Sequence, residues 1–193
     1  MNRAVLTIGV FALFAMAGCK PAATYKIDTV RFVPTKPIVG KGGPVPGIWI
    51  NTNTRLSSLF GGTMKSHKPY GLGIDYTDST FSFAQAELLS VNVVYDDGTI
   101  DPGGTTLNLP FRIAARNYES TNSVGGGRIV KSTVRIISSQ LPGVISRDEP
   151  FTLKIEGQFT KDDGSRIPFA IDRHYDIQKD HTTRSAAEVL QDA

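Results

Sequence analysis

The sequence is poor in cysteine. Cys19 is the only one in 193 residues, so no disulfide can form within one chain. A chain of this length can bury one core of ordinary domain size. We therefore expect the fold to be stabilised by packing and not by covalent cross-links.

The sequence also lacks the short motifs of common enzyme classes. It contains no Gly-x-Ser-x-Gly nucleophile elbow and no His-Glu-x-x-His zinc helix. Gly40-Lys-Gly-Gly43 does not have the spacing of a phosphate-binding loop. Basic residues are scattered and are not interleaved with aromatic ones, so the sequence does not predict nucleic acid binding. No cofactor is expected.

Long apolar runs are absent except near the start. Residues 4–17 follow Arg3 and are apolar apart from Thr7 and Gly9. This run is shorter than the roughly 20 residues that a membrane-spanning helix needs. A basic start, a short apolar run and small residues at its end are typical of a secretory signal. We therefore predict that residues 1–18 are a signal peptide, helical in the precursor and removed from the mature protein.

The apolar run ends in Met16-Ala17-Gly18-Cys19, which resembles the lipobox of bacterial lipoproteins. Met16 departs mildly from that family, in which leucine is commoner. The resemblance implies cleavage between Gly18 and Cys19, a diacylglyceryl group on the Cys19 sulfur, and an acyl group on the new amine. Residues 19–24 would then be a lipid-anchored tether. The alternative is an ordinary signal peptide with a chance cysteine.

The same resemblance bears on the location of the protein and on its thiol. A nucleophilic cysteine needs a positioned base, and an acylated Cys19 would not be free to react. Lys20, in place of aspartate, follows the cysteine as in lipoproteins sorted to the outer membrane. In a cell with two membranes, this implies an outer-membrane protein facing the periplasm.

Most of the remaining sequence alternates with the period of β-strands. Strands are predicted at residues 25–33, 47–51, 72–77, 88–95, 105–118, 128–138, 151–160 and 166–177. Residues 25–178 are expected to form an all-β, antiparallel sandwich of about seven to nine strands, of immunoglobulin or transthyretin type. Residues 179–193 are predicted to be a polar tail or a short helix, since Ser185-Ala-Ala-Glu188 has capping-box spacing.

The best-defined strand pair is the hairpin at residues 151–177. Lys161-Asp-Asp-Gly-Ser165 is typical of a hairpin turn. If Thr160 pairs with Arg166, Gly157 faces Phe169, and the apolar stripes of both strands lie on one side of the sheet.

Three residues on the second hairpin strand are candidates for chemistry. Asp172, His174 and Asp176 share one face, because side chains two apart on a strand point the same way. Such a row could bind a metal or a ligand, or tune the histidine as a general base. The predicted register also places Lys154 opposite Asp172 and Thr152 opposite His174. The predicted register therefore favours ordinary cross-strand pairing on a solvated sheet face over a metal or ligand site.

Two further groups of residues are weaker candidates. Asp96-Asp-Gly-Thr-Ile-Asp101 holds three carboxylates but lacks the full spacing of a calcium loop, so a turn is favoured. Trp49, Tyr70, Phe81 and Phe83 could line a ligand or partner surface. In a sandwich, such aromatic residues are more often part of the core.

Together these features predict a noncatalytic envelope lipoprotein. Its β-sandwich would be held at the membrane by the lipid anchor and would contact another envelope protein, as an assembly factor or accessory subunit. A periplasmic inhibitor or immunity-type lipoprotein is an alternative within this class. A different alternative is a metal-dependent envelope enzyme or ligand binder that uses Asp172, His174 and Asp176.

Overall fold

A computed structural model describes residues 24–35, 44–57, 62–105, 107–124 and 128–185. The predicted signal peptide, Cys19 and residues 186–193 lie outside these ranges. The described chain is nearly all β, with one helical turn, α1 (Pro102–Thr105). Its strands are β1 (Thr24–Pro34), β2 (Gly47–Asn51), β3 (Arg55–Leu56), β4 (Gly62–Lys65), β5 (Tyr70–Asp78), β6 (Phe83–Tyr95), β7 (Phe111–Ala114), β8 (Arg116–Val124), β9 (Arg128–Ile145), β10 (Phe151–Lys161) and β11 (Arg166–Ser185). No helix in these ranges is long and apolar enough to cross a membrane.

The chain divides into two compact units. The larger comprises Thr29–Arg55 and Ser66–Asp180, and the smaller contains the remaining segments. Strands β1, β3 and β11 have residues in both units.

In the smaller unit, β4 pairs in parallel with the first residues of β1, starting with Gly62 opposite Tyr25. Tyr25 is buried and Lys26 is exposed, as expected for an alternating strand. His181 Nδ1 lies 3.0 Å from Asp28 Oδ1. The parallel pairing departs from the purely antiparallel arrangement predicted from the sequence.

The larger unit contains two packed sheets. One has the strand order β1-β11-β10-β6-β7 and the other β2-β5-β9-β8. Aromatic rings pack between them: the ring centroids of Tyr76 and Phe159 are 4.7 Å apart, and those of Phe32 and Tyr70 are 5.4 Å apart. Phe32, Tyr70 and Phe159 belong to one buried cluster drawn from both sheets, and the partly buried Tyr76 packs against it. The arrangement is that of a β-sandwich, as predicted.

The structure confirms the predicted register of the β10–β11 hairpin. Thr160 pairs with Arg166 and Gly157 pairs with Phe169. Gly164, in the turn, has a φ of +83°, a left-handed conformation that glycine adopts readily. The alternation of apolar residues and the turn sequence were therefore sufficient to define this pair.

A β-bulge interrupts the pairing of β10 with β6. Glu156 pairs with Ser90 and Gly157 with Leu88, so Leu89 is the extra residue. The bulge turns Leu89 outward, where the residue is 47% exposed. Leu89 lines an open groove of about 330 Å³ on the outer side of this sheet.

The single strand predicted over residues 105–118 was wrong. Its C-terminal part forms two strands, β7 pairing with β6 and β8 pairing with β9. The chain passes from one sheet to the other at Ala115, whose backbone N–H donates to the Ala84 carbonyl. A segment that changes sheets cannot stay one straight strand.

Two other departures concern polar segments. Residues 179–185 continue β11, where a polar tail or helix was predicted. Strands β3 and β4 were not predicted at all. These segments lack a clear apolar alternation, whereas backbone pairing requires no apolar side chain.

We expect Gly157→Ala to destabilise the fold by about 1–3 kcal/mol, as overpacking does in tight cores. A Cβ on Gly157 would lie 2.3 Å from Phe169 Cζ and 2.7 Å from the Glu87 carbonyl oxygen. Urea denaturation measures the change. Phe169→Leu in the Gly157→Ala background should cost less than the sum of the two single substitutions. Additive losses would show that the Phe169 ring does not fill this space.

Candidate functional site

The structure places His174 of β11 in a partly exposed polar cluster. Its Nδ1 lies 3.2 Å from Thr152 Oγ1 and 3.7 Å from Asp96 Oδ1. Its Nε2 lies 3.5 Å from Asp176 Oδ1. The sequence placed Thr152 and Asp176 beside His174 correctly and did not anticipate Asp96, which comes from the turn after β6.

Asp172 lies two residues before His174 on the same face of β11. It pairs with Lys154 across the hairpin, as predicted. Within the described ranges, no group of three or more His, Cys, Asp and Glu residues is arranged to hold a metal ion. The contacts of His174 are those of a cross-strand polar cluster.

The acidic loop at residues 96–101 does not gather its carboxylates at one point. Asp101 is fully buried. Its Oδ2 accepts hydrogen bonds from the Tyr95 hydroxyl and from the backbone N–H and hydroxyl of Ser146, and its Oδ1 accepts one from the Gly103 N–H. Both oxygens are thus already engaged by protein donors, and Asp101 acts as a structural anion.

The other two carboxylates of the loop point elsewhere. Asp97 accepts hydrogen bonds from the Thr99 N–H and hydroxyl and forms an ion pair with Arg147 at 3.2 Å. Asp96 contacts His174. The loop is therefore a turn, as the sequence favoured.

The pKa of Asp101 reflects this network. Burial alone would raise the pKa of its carboxyl, but the hydrogen bonds from Tyr95, Gly103 and Ser146 outweigh burial and hold the pKa below its usual range. Burial and the hydrogen bond to Asp101 raise the pKa of the Tyr95 hydroxyl. Asp101 is thus ionised and Tyr95 neutral near pH 7.

Among the aromatic candidates, Tyr70 and Phe83 are buried in the core, as favoured from the sequence. Trp49 is not. It lies on the outer face of the second sheet, and the residue is 39% exposed. It pairs with Gly73 of β5, while the flanking Ile48 and Ile50 pack against the core.

The indole of Trp49 lies flat on Gly73. A Cβ built on Gly73 would be 1.9 Å from Cε2 and 2.3 Å from both Cδ2 and Cζ2, the ring carbons bonded to Cε2. These near-equal distances place the Cβ position above the ring face and not beside its edge. One indole face therefore covers the glycine backbone, and the opposite face is directed away from the sheet.

The neighbours of Trp49 on this outer face are small or polar. Gly71 and Asp75 flank Gly73 on β5, and Gln140 and Ser138 of β9 pair with Gly73 and Asp75. The Asp75, Ser138 and Gln140 side chains are exposed. We call this set the Trp49 surface: Trp49, Gly71, Gly73, Asp75, Ser138 and Gln140. A sequence signal for it existed in the two glycines within the apolar strand Tyr70-Gly-Leu-Gly-Ile74.

Comparisons with known proteins do not assign this chain to a family. No protein-family model, curated protein or solved structure matches this chain.

We expect Asp101→Asn to lower the free energy of unfolding at pH 7 by about 2 kcal/mol or more, because the new amide N–H groups would face hydrogen-bond donors. The wild-type contribution of Asp101 is present above the unfolded-state carboxyl pKa of about 3.9 and is lost as the pH falls through the lower folded-state value. Denaturation series between neutral and acidic pH should therefore show a weaker acid dependence for the variant.

Asp163→Asn is the control for this substitution. Asp163 also has a lowered pKa, caused mainly by hydrogen bonds from Ser165, but it lies exposed in the hairpin turn. Its replacement should change stability much less. Equal effects of the two substitutions would contradict a special role for Asp101.

We further expect His174→Ala to leave the zinc content of the purified protein unchanged, because the imidazole of His174 already contacts Thr152 and Asp176 on the strands. Metal analysis after dialysis against zinc measures this. One equivalent of zinc that is bound by the wild type and lost in the variant would favour the metal-dependent alternative.

Proposed function

We propose that the chain is a bacterial envelope lipoprotein, anchored through acylated Cys19, whose β-sandwich acts as a noncatalytic interaction or accessory module. The observation that carries the proposal is Met16-Ala17-Gly18-Cys19, placed directly after a basic start and a short apolar run. A diacylglyceryl group together with an N-acyl group provides the several chains that stable anchoring needs. We also propose that the sandwich is of immunoglobulin or transthyretin type.

The start of β1 supports a position close to the membrane. Thr24 begins β1, and four residues, 20–23, separate it from Cys19. Fully extended, this connection spans at most about 18 Å. The smaller unit would therefore remain near the lipid headgroups.

The β8–β9 ribbon supports a role in binding a protein partner. β9 pairs with β5 from Arg135 onward, whereas its residues 128–134 pair only with β8 among the described strands. On the β8 side of this ribbon, Tyr118 is 56% exposed. An open strand edge can accept an added strand from another protein, and an exposed tyrosine offers contact area beside it.

We expect Cys19→Ser to abolish acylation while leaving the β domain folded. Wild-type protein should incorporate labelled fatty acid and resist extraction from membranes at alkaline pH. The variant should incorporate none, and its intact mass should lack the lipid. Circular dichroism of both proteins should show the same β content.

A matched control separates the lipobox from the mere presence of a thiol. Asp163→Cys added to Cys19→Ser restores one cysteine in an exposed turn. It should not restore acylation, because the residues before it do not resemble a lipobox. Unchanged lipid incorporation in Cys19→Ser would overturn the proposed anchoring.

A further inference from the structure

We propose that the Trp49 surface binds a pyranose ring of a glycan chain. Its central feature is an indole with one face held against the sheet and the other open. The C–H bonds on one face of a pyranose ring pack against such an aromatic face, while the sugar hydroxyls remain at the rim. This site lies in the larger unit and does not depend on the acylation of Cys19.

The first argument is that the indole is held in one orientation. Gly73 lies in the second position of its sheet, between β2 and β9, where a glycine lowers strand stability. Because any larger residue would occupy the position of the indole, glycine is required for Trp49 to lie flat. A pre-oriented aromatic ring loses little conformational freedom when a ligand stacks on it.

The second argument is the polarity around the indole. The centre of a protein–protein interface is depleted in charged groups and contains several large apolar side chains. Around Trp49, the neighbouring positions are instead occupied by two glycines, a carboxylate, a hydroxyl and an amide. An isolated aromatic face within a rim of hydrogen-bonding groups is complementary to a sugar, whose C–H face is surrounded by hydroxyls.

The third argument is that the rim groups can accept and donate. Asp75 accepts hydrogen bonds, Ser138 does both, and Gln140 offers a carbonyl oxygen and an amide N–H. Asp75 and Ser138 are cross-strand neighbours, and Gly73 and Gln140 form the next pair on the same face of the sheet. These two pairs thus place polar groups on the face that carries the ring, where the hydroxyls or acetamido groups of a stacked sugar would need them.

Intrinsic fluorescence tests the proposal directly, because Trp49 is the only tryptophan of the chain. The full chain is purified in a zwitterionic detergent without a sugar headgroup and titrated with chitotetraose and, separately, with cellotetraose. A stacked sugar should shift the emission to shorter wavelength and protect Trp49 from acrylamide quenching, both saturably. A response to chitotetraose alone would assign N-acetylhexosamines, and a response to both would assign equatorially linked hexoses in general.

Two substitutions and a control locate the binding. Gly73→Ala places a methyl group where the indole lies and should weaken sugar affinity by about tenfold or more, the equivalent of roughly 1.4 kcal/mol. Leu89→Ala is the control, since Leu89 is exposed on the other sheet and does not belong to the Trp49 surface. It should keep both the emission maximum and the affinity. Trp49→Phe, assayed by calorimetry, should lose affinity without the backbone change of the glycine variant.

Three outcomes would overturn the proposal. The first is the absence of a saturable response to either tetrasaccharide up to its solubility limit. The second is calorimetric binding that is equally strong in the wild type, Gly73→Ala and Trp49→Phe, because the sugar would then bind elsewhere. The third is protection of Trp49 by an envelope protein and not by sugars, which would assign this surface to a protein partner.

Discussion

The sandwich depends on one buried anion, the carboxylate of Asp101. It joins the end of β6 through Tyr95, the start of α1 through Gly103, and the segment after β9 through Ser146. β6 and β9 belong to different sheets, so a single side chain fixes the ends of both. An unpaired charge here would cost several kcal/mol, and four donors offset that cost. The turn also fits tightly: a Cβ on Gly103 would lie 2.2 Å from the Gly143 carbonyl oxygen, which makes glycine necessary at that position.

A second aspartate has a similar role where the chain passes from β5 to β6, and hence from one sheet to the other. Asp78 is buried and accepts hydrogen bonds from the Thr80 N–H and hydroxyl and from the Phe83 N–H. Burial would raise the pKa of its carboxyl, but these donors hold that pKa below its usual range. Both aspartates thus accept hydrogen bonds from backbone N–H groups in or beside the connections between strands.

The sequence predicted the structure best where a local pattern of residues was sufficient to determine it. In the β10–β11 hairpin, strict alternation and a glycine turn determined the register pair by pair. Residues 105–118 also alternate, but alternation along a chain does not reveal which sheet a strand joins, so the change of sheet at Ala115 was hidden. Asp101 was identified as a member of an acidic turn, while its donors Tyr95 and Ser146 depend on tertiary packing. The sequence likewise did not predict that Trp49 is exposed. Its orientation follows from its pairing with Gly73, and that pairing joins residues more than 20 positions apart.

The two outer faces carry different kinds of polar groups. On the first sheet, Glu87 accepts hydrogen bonds from Arg112 and Gln158, and His174 contacts Thr152 and two aspartates. On the second sheet, the polar rim of Trp49 is exposed beside an open aromatic face.

A single stacked sugar contributes little affinity by itself. A lipid anchor would offset such a low affinity. A module tethered at a surface where its ligand is abundant experiences a high effective ligand concentration, so a weak site is still occupied. If Cys19 anchors the protein and Trp49 stacks on a sugar, as proposed, weak sugar binding would be sufficient at a surface rich in that sugar.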